Sequence, residues 1–184
     1  CNSVYQLDQR GEGQGARSSH AIAIVAQKVY AFGGEFVPRV PVDNKLHVFD
    51  LETLTWSVAD ASGDTPPPRV GVTMATVGET IYVFGGRDGE HKELNDLYSF
   101  VTRDNKWALI SSGDIGPPHR SYHSMTADDR TCMFSVAVGS TGGLMTCGLL
   151  MLLRRSGWSF LLQVRIARGE VGRAWLWPME KYGL

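Results

Sequence analysis

The sequence predicts an all-β fold built from a repeated four-stranded sheet, with two full copies and the opening of a third. Three observations carry this reading. The string Val29-Tyr-Ala-Phe-Gly-Gly34 returns as Ile81-Tyr-Val-Phe-Gly-Gly86, a shift of 52 residues. Trp56 returns at Trp107, a shift of 51. Arg17, Arg69 and Arg120 open equivalent segments, each with a following hydroxyl, apolar or aromatic run. Self-similarity at a fixed period near 50 residues is the mark of a repeat architecture.

Each copy divides into four short strands. His20 to Val25 and Val72 to Val77 are the first, and Lys28 to Phe32 and Thr80 to Phe84 the second. Leu46 to Leu51 and Leu97 to Val101 are the third, and Trp56 to Ala59 and Trp107 to Ile110 the fourth. All are rich in β-branched and aromatic residues and are bounded by Gly, Asp, Asn or Pro. Several are apolar on both faces, as a sheet packed between two others requires. No stretch in the first 130 residues holds a 3.6-residue period.

A repeat of this length, with four strands and a glycine pair, is the kelch signature, and it predicts a fragment of a kelch β-propeller. The glycines end the second strand where the chain turns sharply and backbones come close. The tryptophan of the fourth strand serves as an apolar plate between blades. On this reading residues 17–68 are the first blade, 69–119 the second and 120–130 the start of a third. Residues 1–16 hold a strand, Val4 to Leu7, that would close the ring on a last blade.

Charge and cysteine content narrow the function classes. The formal net charge of −1 offers no basic surface for nucleic acid or an anionic membrane. Three scattered cysteines, Cys1, Cys132 and Cys147, make neither a disulfide framework nor a zinc site. They fit a reducing compartment, and the expected location is cytoplasmic. The chain begins with Cys1 rather than Met, which reads as a missing start. Its longest apolar run, Leu144 to Leu153, is about half of the ~20 residues of a spanning helix. No GxSxG, P-loop or HExxH string is present.

After Arg130 the repeat is lost, and residues 131–184 read as an aberrant tail rather than a folded domain. The third copy should continue with a Val-Tyr-Val-Phe-Gly-Gly string but shows Thr131-Cys-Met-Phe-Ser-Val-Ala137. The codons of those residues, read one nucleotide earlier, allow that string and force its valine. The same shift over Leu144 to Met151 allows Leu-Asn-Asp-Leu-Trp-Ala-Phe-Asp, and over Arg155 to Gly157 it allows Lys-Trp. A frame change near Arg130 accounts for these matches. With Gly139, Gly142 and Gly143 where strands should pair, the tail is expected to form no four-stranded sheet.

Longer strings carry a resemblance. Gly15 to Ile24, Phe32 to Phe36, Pro38 to Lys45, Val83-Phe-Gly-Gly-Arg-Asp88 and Arg120-Ser-Tyr-His-Ser-Met125 resemble the plant kelch specifier proteins, closest to the nitrile-specifier type. The resemblance covers residues 11–130. It implies a six-bladed, ferrous-iron-dependent protein that acts on the glucosinolate aglycone and directs its breakdown to nitriles. The family's Glu-xxx-Asp-xxx-His iron string is absent from residues 1–130, so no cofactor or metal ligand is expected in this chain and it should be inactive alone. Arg87 matches the family arginine that holds the substrate's sulfate, a role that suits a guanidinium fork. The architectural reading of Arg87 is a salt bridge to Asp88 or a loop carboxylate.

Other residues read first as architecture. His20 and His123 share a repeat position, which speaks for blade structure before ligation. Arg17, Arg69 and Arg120 read as inter-blade hydrogen-bond donors. Glu35 and Arg39 sit in the long loop from Glu35 to Asn44, where propeller rims build sites. Asp43 and Asn44 read as the turn into the third strand. The competing function is a kelch scaffold presenting loops to a protein partner. Exposed blade faces are expected to promote self-association.

Overall fold

In the computed structural model, residues 8–114 and 117–127 are described in full, and the backbone of 132–138, 145–155, 158–167 and 170–178 as strands. Three antiparallel sheets follow one another along the chain. The first is β1 (Ser18–Val25), β2 (Lys28–Glu35), β3 (His47–Asp50) and β4 (Thr55–Val58), paired in that order. The second pairs β6 (Thr73–Val77), β7 (Thr80–Arg87), β8 (Glu93–Val101) and β9 (Lys106–Ser111), with the two-residue β5 (Ser62–Gly63) parallel to β9. The two blades expected between Arg17 and Gly113 are therefore present, strand for strand, and no helix falls on either Phe-Gly-Gly string.

The fifth strand was not foreseen, and it has a counterpart. Arg10 bridges Thr55 in parallel, as Ser62 pairs with Lys106. Gly11 and Gly63 both take positive φ, and a Cβ on either would lie 2.4 and 2.2 Å from the carbonyl oxygens of Trp56 and Trp107. The segment preceding each blade thus docks on that blade's own outer strand. The proposed closing strand, Val4 to Leu7, lies outside the described residues.

The joint between blades 1 and 2 is the main core. Ala23, Tyr30, Phe32, Leu46 and Val48 of blade 1 pack on Val72, Met74, Ile81, Val83, Tyr98, Phe100 and Trp107 of blade 2. Trp107 is 1% exposed and meets Phe32 at 5.7 Å and Phe100 at 4.9 Å between ring centroids. It is the inter-blade plate that the repeat predicted. Trp56, its counterpart, rests on Phe49 on the other face of blade 1, where its Nε1 donates to Gln9 at 2.8 Å, and stays half-buried.

Backbone hydrogen bonds repeat at the joints. The Gly34 and Gly86 amides donate to the carbonyls of Arg69 and Arg120 at 2.9 and 2.8 Å, each from one blade to the next. Gly33 and Gly85 stand at φ +75° and +62°, and a Cβ on either would come 2.7 Å from those same carbonyls. The glycine pair is required here by close approach. Further in, Gly71 donates to Ser19 at 2.9 Å and Tyr122 donates to Gly71 at 2.8 Å.

Two of the repeated arginines, Arg17 and Arg69, act differently from the inter-blade donors expected. Arg69 makes a two-pronged ion pair with Asp96 of its own blade at 2.6 and 3.0 Å, and donates to the Gly85 carbonyl. Arg17 pairs with Asp43 of its own blade at 3.2 and 3.0 Å and donates to the Gly33 carbonyl. The guanidinium groups close each blade internally, and it is the Arg69 and Arg120 backbone carbonyls that cross the joint. Asp43 also forms the expected turn, accepting from the Lys45 amide at 3.2 Å.

The third sheet corrects an expectation. Ser124–Ala127 is β10, and Cys132–Val138 (β11), Met145–Arg155 (β12), Trp158–Ala167 (β13) and Glu170–Pro178 (β14) continue from it in antiparallel order. Residues 131–184 thus supply four paired strands where none was expected. Their strings are dense in Val, Ile, Leu, Phe and Trp, and that β-propensity acts whether or not the kelch spacing is kept. Gly139, Gly142 and Gly143 lie between β11 and β12, outside the described residues. Met125 and Ala127 pack on a second core of Ala75, Phe84 and Leu97.

Candidate functional site

Residues that follow each glycine pair, and those that follow each repeat arginine, meet at one rim. Glu35 ends β2 and Arg87 ends β7, so an acid in blade 1 and a base in blade 2 hold the same repeat position. Ser19, Gly71 and Tyr122 share a second position, two residues after each arginine. All three adopt left-handed φ, at 58°, 60° and 52°. A serine and a tyrosine held there carry a local cost on the order of 1 kcal/mol each, which the backbone bonds across the joints offset.

Glu35 is the acceptor hub of the rim. Its Oε1 accepts from the Ser19 hydroxyl at 2.8 Å and from the Tyr122 hydroxyl at 3.4 Å, and Oε2 accepts from the Arg39 amide. The Arg39 amide, then Ser19, hold the Glu35 carboxyl below its usual range. Tyr122 therefore reaches from the bend before β10 to blade 1. Arg39 lies at φ 67° and contributes its backbone here.

Arg87 donates from Nη2 to Glu93 Oε1 at 2.6 Å, and the Ser121 hydroxyl donates to the same oxygen at 2.9 Å. Burial works to raise the Glu93 carboxyl, but the Arg87 and Ser121 bonds hold it low. The Glu93 bond in turn raises Arg87. The carboxylate partner is thus Glu93 and not Asp88, which spends Oδ1 on the Glu90 and Lys92 amides in the hairpin turn. A guanidinium has five N–H donors, so one bond to Glu93 leaves donors for an oxyanion. Arg87 Nε is buried without a hydrogen-bond partner.

The two histidines do not join this rim. His123 lies in the joint between blade 2 and the third sheet, its Nε2 2.8 Å from the Thr73 hydroxyl and its ring edge-on to Phe84. Burial, then Arg120, pulls it down to about 4. His20 sits beside Gln14 on the face of blade 1 turned away from blade 2. Among the described residues no three His, Cys, Asp or Glu side chains come together to hold a metal ion. The described residues thus supply no ligand set for the iron that the resemblance implies. Sequence reasoning singled out Arg87, Glu35 and Arg39 but missed Ser19, Glu93, Ser121 and Tyr122. The repeat register held the signal for three of them, since they stand one and two places after a repeat arginine.

Stacked four-stranded sheets with glycine-pair joints and an inter-blade tryptophan define blades of a kelch β-propeller. The family model described as the KLHDC2/KLHL20/DRC7 Kelch-repeats domain matches residues 19–153, and the chain belongs to that kelch-repeat family. A plant relative supports the specifier-type resemblance. It is the N-(sulfonatooxy)prop-2-enimidothioate sulfolyase of Thlaspi arvense, 44% identical over 144 residues, 76% of this chain and 40% of that protein. Kelch domain-containing protein 1 of Mus musculus is 40% identical over 95 residues, covering 50% of this chain and 23% of that protein. The Rho GTPase-activating protein gacHH of Dictyostelium discoideum is 30% identical over 134 residues, 66% of this chain and 9% of its own length. The chain spans less than half the length of each.

Proposed function

We propose that the protein is a specifier-type kelch protein whose rim binds the sulfated aglycone released from a glucosinolate, with Arg87 on the sulfate. The observation that carries this is the placement of Arg87 at the rim, bonded to Glu93, whose same oxygen accepts from Ser121. The name of the Thlaspi arvense relative supports it, because that protein acts on a sulfonatooxy group. A planar fork matches such an oxyanion better than a point charge would. Nitrile formation in the parent family needs ferrous iron, which the described residues do not accommodate, so the chain alone binds the anion without turning it over.

Two measurements test this. Arg87 side-chain resonances should shift on titration with inorganic sulfate, and R87Q should abolish the response. Purified chain with ferrous iron, myrosinase and a glucosinolate should yield no nitrile above the protein-free level. Absence of a sulfate response at Arg87, or iron-dependent nitrile from this chain, would contradict the reading.

One observation favours a second reading. The loop beyond β2 exposes Phe36, Val37, Val40 and Val42, with Phe36 73% exposed. Apolar side chains grouped on one rim loop suit a protein partner, the scaffold role of many kelch domains.

A further inference from the structure

Arg87 shares the rim with an opposite charge. Its amide and carbonyl pair with the carbonyl and amide of Val70 at 2.8 and 2.9 Å, which sets it beside Gly71. Gly71 stands at φ +60°, and a Cβ there would come 3.0 Å from the Tyr122 amide nitrogen and 3.1 Å from the Tyr122 ring. The bare backbone of Gly71 therefore gives room to that ring, which sets its hydroxyl 3.4 Å from Glu35 of blade 1. Glu35 holds in blade 1 the repeat position that Arg87 holds in blade 2. The Glu93 bond comes first in raising Arg87, and the charges of Tyr122 and Glu35 add to it, so both groups lie within electrostatic reach of the guanidinium.

Glu35 is both charged and fixed. The Arg39 amide and the Ser19 hydroxyl each donate to one of its oxygens, and the Arg39 charge ranks last among the causes that hold its carboxyl low. The loop beyond it is tied back on itself. The Val42 amide returns to the Gly34 carbonyl at 3.0 Å, the Val40 amide to the Val37 carbonyl at 3.0 Å, and Glu35 and Pro41 form a bridge. Among the described residues Glu35 forms no ion pair, whereas Glu93 is matched by Arg87. The set of Arg87, Glu93 and Glu35 thus carries one negative charge in excess.

We propose that Glu35 is the specificity-determining residue of the rim, admitting a singly charged sulfate monoester to Arg87 and disfavouring a doubly charged phosphate monoester. The proposal rests on the reading of Arg87 as the sulfate-binding residue. The two esters offer a guanidinium fork the same tetrahedral set of oxygens, so Arg87 alone separates them poorly. They differ in charge, since the phosphate ester takes up most of a second negative charge at neutral pH. Repulsion from Glu35 grows in proportion to that charge. Discrimination of this kind works by penalising the wrong ligand rather than by adding a contact to the right one. Ser19 and the Arg39 amide serve it by holding the carboxylate ionised and in place.

Titration of the purified chain with methyl sulfate and with methyl phosphate tests it, read by the Arg87 side-chain resonances. The work is done at low ionic strength and about pH 8, where the phosphate ester carries its second charge. E35Q removes the charge at the rim, and E79Q removes an equal charge from the turn before Thr80, where β7 begins, at the far end of the strand that Arg87 closes. The wild type and E79Q should prefer methyl sulfate. E35Q should tighten methyl phosphate at least about 10-fold and methyl sulfate only about 3-fold, because the repulsion removed doubles with the charge of the ligand. A wild type that prefers methyl phosphate overturns the proposal, whatever the fate of the variants. So does an E35Q chain that gains equally for both esters, or an E79Q chain that gains as E35Q does, with the Arg87 reading left standing. If neither ester shifts Arg87 in any of the three chains, the Arg87 reading falls and the proposal with it.

Discussion

Phe32 of blade 1 and Trp107 of blade 2 meet with ring centroids 5.7 Å apart, tilted by 53°, across the joint that holds the two sheets together. Trp107 is almost wholly buried, whereas Trp56 at the same repeat position is half-buried. W107A should therefore cost about 3–5 kcal/mol of stability, the range for removing a large buried aromatic. W56A should cost no more than about half as much, since part of its surface already meets solvent. Urea unfolding of both variants measures the difference, and equal losses would mean that the joint does not carry the fold.

The ion pairs within the blades predict a similar ranking. The Arg69 side chain is fully buried against Asp96, at 2.6 Å. Arg17 meets Asp43 at 3.0 Å, with Asp43 somewhat more exposed. D96N leaves a buried guanidinium without its counter-charge and should cost about 3–5 kcal/mol, and D43N less. Thermal unfolding midpoints of the two variants check the order.

His123 makes stability depend on pH. Its folded value of about 4 lies below the unfolded value of 6.5. Between those values the unfolded chain binds a proton that the folded chain excludes. The His123 contribution is thus complete above about pH 6.5 and is lost as pH falls to about 4, a change on the order of 3 kcal/mol. His20 and His47 are also lowered by burial, then by Arg17, and act in the same direction. Urea midpoints at about pH 7 and about pH 5 should show the drop, and H123Q should shrink it.

The frame reading of the tail predicts a nucleotide sequence. Read one nucleotide earlier from codon 131, the gene should encode a string near Val-Tyr-Val-Phe-Gly-Gly, then Leu-Asn-Asp-Leu-Trp-Ala-Phe-Asp and Lys-Trp. A stop codon in that frame before the Lys-Trp site contradicts it.

Periodic features of the fold were legible in the sequence because they recur. The glycine pairs, the Trp107 plate and eight strands of two blades follow from strings present twice. What is very short or lies outside the repeated strings is hidden. β5 is two residues long, Ser62–Gly63, too short for alternation to register. The tail strands are hidden because the kelch spacing is lost there and glycines interrupt the run, although its β-propensity remains. At the rim, Arg87 and Glu35 stood out as charges in register, but the Glu93 partnership did not. It depends on β8 beginning at Glu93, four residues before the strand predicted from Leu97, so that Glu93 pairs opposite Arg87.

Amide hydrogen exchange at Gly34, Gly71, Gly86 and Tyr122 tests the central claim most directly. These four N–H groups donate across the joints between successive sheets, at 2.8 to 2.9 Å. If the blades stack as described, all four exchange slowly, and W107A accelerates Gly34 and Gly71 before Tyr122. Unprotected exchange at these amides in a chain whose β-strand amides remain protected would show that the blades form separately and do not stack.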